Sequence, residues 1–210
     1  LAGGTGLYLR AVARGLPLAD LPNDPMVRDR LEAELVTGGL ARLVERLHAV
    51  APILARDIET SNPRRVLRAL EIAELRGDGP RPVPRGYDGP MAWLGLDLER
   101  DQHAERIAGR ARRQFVDGLL EEAIVLRDRF DPGLPCFSAI GYHEAWSLAD
   151  GTTTLEGAIA RVTERTVAFA KRQRTWFRSE REISWLDVTS NDPLPAALAV
   201  LAPLIQRIGG

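Results

Sequence analysis

Three kinds of residue cluster in this sequence could do chemistry. The first is a hydroxyl at the mouth of a glycine-rich turn, Gly3-Gly4-Thr5-Gly6, followed by Leu7-Tyr8-Leu9. Glycines let a backbone approach a ligand closely, and a helix starting there favours an anion. A plain structural turn is the alternative. The second is a set of arginines spaced one helical turn apart: Arg64 and Arg68, with Arg65 beside them, and Arg106, Arg110 and Arg113. Two guanidiniums at that spacing can fork onto one phosphate or pyrophosphate. Alternatively, the second group is a solvated face and the first pairs with Asp57 and Glu59. The third is Ala170-Lys171-Arg172-Gln173-Arg174-Thr175-Trp176-Phe177-Arg178. Cations interleaved with aromatic rings suit an RNA-contacting element, where phosphates meet charge and bases meet flat faces. The outer face of an amphipathic helix is the bland reading. Against a whole-chain balance of −1, this run is a local positive concentration, and Lys171 is the chain's sole lysine.

These residues need elements to hold them. Asp24-Pro25 and Asn62-Pro63 read as N-caps followed by proline at the first helical position. The helix after Asp24 is expected to end at Gly38-Gly39, and a second to run from Leu40 to Val50, broken by Pro52. The helix after Asn62 ends at Gly77. Cations in its first turn oppose the helix dipole by a few tenths to about 1 kcal/mol each, which a bound polyanion would offset. Asp78 to Pro90 is rich in Gly and Pro and reads as a loop. Met91–Leu96 is an apolar run predicted to be a buried strand closed by Asp97, and a long helix is expected from about Arg100 to Phe130. Ser138-Ala139-Ile140-Gly141-Tyr142-His143-Glu144 leads into a further helix. Thr153-Thr154-Leu155-Glu156 reads as a capping box that starts the helix carrying the basic run. Ile159, Val162, Thr166 and Phe169 are its predicted buried stripe. Ile183–Val188 is a predicted last strand, and the apolar helix from Ala196 to Ile208 is expected to cover the sheet. Leu1-Ala2 reads as the end of a strand. The chain opens inside a turn without an initiating Met, and is expected to continue upstream.

Composition excludes several classes. A single cysteine, Cys136, rules out an internal disulfide and suits a reducing compartment. No apolar stretch of about 18 residues is present to span a bilayer. His143 has no second His or Cys at ligand spacing, so no zinc site is expected.

Four segments in order give the chain a close resemblance to the tRNA dimethylallyltransferases, also called tRNA isopentenyltransferases. They are Gly3–Leu9, Asn62-Pro63-Arg64-Arg65-Val66-Leu67-Arg68-Ala69-Leu70-Glu71, Ala139-Ile140-Gly141-Tyr142, and Ala170–Arg178. The resemblance implies an α/β fold, predominantly helical: a P-loop-kinase-like core, here its C-terminal portion, from residues 1–20 and 91–210, and an inserted helical tRNA-binding domain at 21–90. It implies transfer of a dimethylallyl group from its pyrophosphate to the exocyclic amine of the adenosine 3′ of the anticodon, by a cytoplasmic monomer. Thr5 would meet the target amine. Arg28, Arg64, Arg65, Arg68, Ser138, Gly141, Tyr142, His143, Lys171, Arg172, Gln173, Arg174, Thr175, Trp176 and Arg178 would contact the anticodon stem-loop, as two jaws of a clamp. Arg106 and Arg110 would lie over the pyrophosphate of dimethylallyl pyrophosphate. Mg²⁺ would accompany that pyrophosphate, its ligands mostly outside this chain. The family's P-loop and general-base aspartate would precede Gly3, leaving this chain inactive alone. Two departures stand out. His143 replaces the usual Lys or Arg, which weakens a phosphate contact and makes it pH-dependent. Val167 replaces an arginine, and Arg165 points about 200° away from it on the helix, so its role is not transferred. A P-loop nucleotide kinase and a non-catalytic RNA-binding module are the alternatives.

Overall fold

The computed structural model describes residues 1–208 except Arg81 and Asn191. The chain divides into two compact units, one of Leu1 and Leu7–Gly89, the other of Ala2–Gly6 and Pro90 onward. Residues 7–20, expected with the core, thus cluster with the helical unit.

The first unit holds α1 (Gly6–Ala13), α2 (Pro25–Val50), α3 (Pro52–Arg56) and α4 (Pro63–Arg76). Both caps that precede a proline form: Asp24 accepts the Met26 N–H, and Asn62 accepts the Arg65 N–H. α2 is a single element with a kink at Gly39, where φ is 75°. That left-handed backbone is costly for any side-chain-bearing residue, so the two expected helices meet at an angle without a loop. Arg46 ties the halves together by pairing with Glu34 at 2.5 Å across the kink. The short α3 starts on a cap from a distance: both Asp78 oxygens accept N–H groups, from Ile53 and Leu54. Leu31, Leu43, Leu47, Leu54, Val66 and Leu70 form the core. α2 supplies three of them from both sides of the kink and α4 two, so one apolar seam holds the unit.

The second unit contains β1 (Trp93–Asp97), α5 (Arg100–Val116), α6 (Leu119–Arg129), α7 (Tyr142–Ala149), α8 (Leu155–Arg178), β2 (Ile183–Asp187) and α9 (Leu194–Ile208). β1 and β2 pair in parallel, with Trp93 opposite Ile183 and Asp97 opposite Asp187. A parallel pair requires a long crossover, and α5 to α8 provide it. Phe115, Ala123, Phe137, Trp146, Ile159 and Val162 form this unit's core. The Trp146 indole N–H is satisfied inside it by the Ala123 carbonyl at 2.8 Å.

Several expectations fail here. The helix predicted over Arg100–Phe130 breaks at Gly118, where φ is 103°, giving α5 and α6. Asp117-Gly118 is a helix stop that the surrounding helical periodicity masks. The strand begins at Trp93 and includes Asp97, and Leu1-Ala2 is not a strand. α8 is capped by Thr154, whose hydroxyl accepts the Gly157 N–H, so the Thr153–Glu156 box does not form. The buried stripe of α8 holds at Ile159 and Val162 but is lost at Phe169, which is 42% exposed. α9 starts at Leu194 and buries none of its described side chains, with Leu194, Leu198 and Ile205 exposed. No helix among the described residues is long and apolar enough to cross a membrane.

Candidate active site and RNA-contacting surfaces

In the helical unit the arginines are organised by one carboxylate. Glu71 sits on the face of α4 that packs into the core and is 1% exposed. A buried carboxylate needs partners for both oxygens. Its Oε1 accepts the Asp24 N–H at 3.0 Å, and its Oε2 accepts from Arg28 at 2.7 Å and from Arg68 at 2.6 Å. Arg68 also donates to the Pro22 and Leu21 carbonyls. Three donors thus converge on Glu71, and the loop 21–24 is tied to α4 by the same knot. The guanidiniums remain accessible, Arg28 at 47% and Arg68 at 33%. Arg65 pairs with Glu59 at 2.8 Å, as the bland reading had it. Arg64 is exposed, lines an open groove with Glu32, Ser61 and Asn62, and has no ion-pair partner among the described residues.

A second buried glutamate performs the same office in the other unit. The turn Ala139–Tyr142 is held by Gly141, whose φ of 123° calls for glycine. The Gly141 N–H donates to Glu144 at 2.9 Å, and Arg165 of α8 pairs with the other Glu144 oxygen. The arginine not assigned a role therefore locks α8 to this turn. The Tyr142 hydroxyl donates to Glu122 on α6 at 2.7 Å, which raises its pKa, burial adding to the effect. The Ser138 hydroxyl donates to the Pro135 carbonyl. His143 is exposed, its ring edge-to-face with Trp146 at 5.1 Å.

Burial pushes both glutamates up, but the hydrogen bonds outweigh it. Those of Arg28, Arg68 and Asp24 hold Glu71, and those of Arg165 and Gly141 hold Glu144, below the ordinary 4.5. A carboxyl depressed on folding contributes stability in full above its unfolded pKa and loses it as pH falls through the folded value. Denaturant titrations are therefore expected to show stability held from neutrality to about pH 5 and lost progressively below it. In Glu71→Gln and Glu144→Gln, that acid-dependent portion should shrink.

The basic run on α8 splits into two groups. Lys171, Arg172 and Arg178 are exposed, with Arg172 stacked over Phe169 at 5.8 Å. Thr175 is exposed and donates to the Lys171 carbonyl. Three other residues face inward. Arg174 pairs with Asp97, at the carboxyl end of β1, at 2.9 Å. Gln173 donates to the Gly4 carbonyl at 2.7 Å. Trp176 backs Gly6 so closely that a Cβ there would fall 2.2 Å from its ring. Between those glycines, Thr5 is exposed. Arg106 and Arg110 lie on the outer face of α5, opposite buried Ile107 and Ala111, with no ion pair among the described residues.

Sequence reasoning missed Glu71, Glu144, Arg165 and Asp97. Glu71 carried a signal, since it interrupts the apolar sequence Ala69-Leu70-Glu71-Ile72-Ala73 and follows Arg68 by three. Glu144 did too, three residues after a glycine at a helix start, in capping-box register.

The match to known proteins runs along nearly the whole chain. The family model described as IPP transferase matches residues 1–180. The tRNA dimethylallyltransferase of Salinispora tropica is 40% identical over 208 residues, covering 97% of this chain and 64% of that protein. That of Halalkalibacterium halodurans is 37% identical, covering 91% of this chain and 63% of that protein. The crystal structure of the full-length tRNA isopentenylpyrophosphate transferase from Bacillus halodurans aligns with a TM-score of 0.60 at 34% identity, over 98% of this chain and 66% of that one. The chain spans less than two thirds of the length of these curated relatives. Four motifs in order, a glycine turn pinned against a basic helix, and the IPP transferase model over residues 1–180 agree: the chain belongs to the IPP transferase family.

Proposed function

We propose that this chain contributes to the transfer of a dimethylallyl group from dimethylallyl pyrophosphate to the N6 amine of the adenosine 3′ of the anticodon in tRNA. The observation that carries this reading is the exposed Thr5 hydroxyl, presented by a glycine turn that is fixed to the basic helix α8. Family membership favours it over a nucleotide kinase or a non-catalytic RNA-binding module.

The reaction sets the requirements. The adenine amine is a weak nucleophile, because its lone pair is shared with the ring. It attacks C1 of the allylic group as the C1–O bond to pyrophosphate breaks, and an amine proton is lost. Catalysis needs alignment of nitrogen and carbon, an acceptor near the amine hydrogens, and cations around the departing pyrophosphate. The Thr5 oxygen can accept from the amine and hold its lone pair on line. Arg106 and Arg110, without an ion pair among the described residues, have the spacing to meet the pyrophosphate. The adenine must leave its stack to be reached, and the exposed cations of α8, Lys171, Arg172 and Arg178, would hold the flanking phosphates. In the helical unit, the exposed Arg64 and the half-exposed Arg28 and Arg68, pre-set by Glu71, would contact the stem-loop on their own account. The magnesium expected with pyrophosphate has no ligand set among the described residues, where no three His, Cys, Asp or Glu side chains converge; no step here depends on it. The second unit would form part of a P-loop-kinase-like α/β core, and the protein would act as a cytoplasmic monomer.

Incubating the full-length protein with labelled dimethylallyl pyrophosphate and an anticodon stem-loop tests this. Label should appear on the adenosine 3′ of the anticodon; its absence from the RNA overturns the assignment. Lys171→Ala should weaken stem-loop binding and lower the slope of log affinity against log salt by roughly one. Arg174 is a poorer probe, because its pairing with Asp97 mixes a structural loss into the measurement.

A further inference from the structure

We infer that Gln173 and Trp176 are positioning residues for Thr5, acting through the glycine turn and not through RNA. The inference rests on the reading of Thr5 as the residue that meets the substrate amine. Gln173 and Trp176 are three apart on α8 and so share a face. Gln173 grips the turn immediately before Thr5, donating to the Gly4 carbonyl at 2.7 Å. Trp176 backs the residue immediately after it, with its ring where a Gly6 side chain would be. Thr5 is bracketed on both sides by one helix face.

The glycines make sense as the complement of that face. A Cβ on Gly4 would lie 2.3 Å from the Gln173 amide nitrogen, the movable tip of a flexible side chain. A Cβ on Gly6 would lie 2.2 to 2.4 Å from three Trp176 ring atoms, and a half-buried indole has less freedom to yield. Gly6→Ala therefore displaces the turn more than Gly4→Ala does. Trp176 is itself held edge-to-face by Phe177 at 4.9 Å. The indole and the amide, residue types that suit base stacking and base reading, are here occupied by the protein's own backbone. The exposed cations on the same helix, Lys171, Arg172 and Arg178, remain for phosphates.

The test uses the full-length protein and two measurements. In Gln173→Met, which keeps length but not the donor, backbone ¹⁵N order parameters across residues 3–7 should fall from the rigid range, about 0.85, to below about 0.6, with the rest of the second unit unchanged. Turnover at saturating stem-loop should fall roughly 10- to 100-fold, as for displacement of a reacting group, with the dissociation constant for the stem-loop within about twofold and its salt slope unchanged. Thr5→Ala combined with Gln173→Met should be no slower than Thr5→Ala alone. Trp176→Phe should retain most of the turnover that Trp176→Ala loses. Unchanged order parameters at residues 3–7 in Gln173→Met overturn the inference, as does weakened RNA binding with normal turnover, or full additivity with Thr5→Ala. A Thr5→Ala enzyme of normal turnover would instead refute the role given to Thr5, while the order parameters would still decide whether Gln173 holds the turn.

Discussion

Replacing Glu71 by alanine is expected to destabilise the helical unit by about 3 kcal/mol, the lower end of the cost of removing one partner from a buried ion pair. The lower end applies because the arginines are partly wet, Arg28 at 47% and Arg68 at 33%, and can recover some hydration. Three donors lose their acceptor together: two guanidiniums and the Asp24 N–H. Glu71 is 1% exposed on the buried side of α4, so water does not readily take the place of the lost carboxylate. The N–H belongs to the cap residue of α2, so the start of that helix is loosened with the arginines. Glu71→Gln should lose less, because a carbonyl in the place of Oε2 still accepts from both arginines while the amide in the place of Oε1 opposes only the Asp24 N–H. Urea unfolding monitored by circular dichroism measures both; a loss under about 1 kcal/mol for Glu71→Ala, no more than one ordinary hydrogen bond, would show that the knot is not a structural one. Functionally, both arginines become floppy, so stem-loop affinity should fall while turnover at saturation is kept.

Thr5→Ala should show the opposite division. Turnover is expected to fall about 100-fold, the scale for removing one aligned hydrogen-bonding group from a reacting centre. Stem-loop affinity should stay within about twofold, because an exposed hydroxyl contributes little binding that water does not replace. Thr5 has no buried partner to strand, and α1 begins beyond it at Gly6, so folding should be unaffected. Single-turnover kinetics with saturating dimethylallyl pyrophosphate separate the two quantities. Equal losses in binding and turnover would refute the separation of chemistry from grip.

Much of the scaffold was legible because it is written locally. Asp24-Pro25 and Asn62-Pro63 announce helix starts by chemistry that acts within three residues, and both caps form. The kink at Gly39 was legible as a boundary, though not as a bend within one element. The break at Gly118 was not seen, since Arg100–Phe130 keeps its apolar period across it. The site was legible as a set of motifs but not as a set of contacts. Arg68 read as a contact to a polyanion or a partner of Asp57 or Glu59, and Arg28 as an RNA contact, yet a buried glutamate that neither reading named holds both. Gln173 and Trp176 read as RNA-facing, yet they turn toward Gly4 and Gly6. Such pairings join residues far apart in the chain, and no period or cap records them. Arg174 was counted with the cations around it; its inward direction comes from Asp97, on a strand 77 residues earlier in the chain.

The parallel pairing of β1 with β2 also has a kinetic meaning. The first unit closes on neighbours in sequence, α2 on α3 and α4, and chains with local contacts cross their folding barrier quickly. In the second unit, Trp93 must find Ile183 after residues 98–182 have been threaded between them. The entropy of closing that loop is lost before the strands return anything. The helices α5 to α8, built on local contacts, are expected to form early and shorten that search, leaving the Arg174–Asp97 pair to close with the strands. The strand pair is therefore expected to be among the last parts of the second unit to become native, with its unpaired edges the place where a refolding chain is most open to association with its own kind.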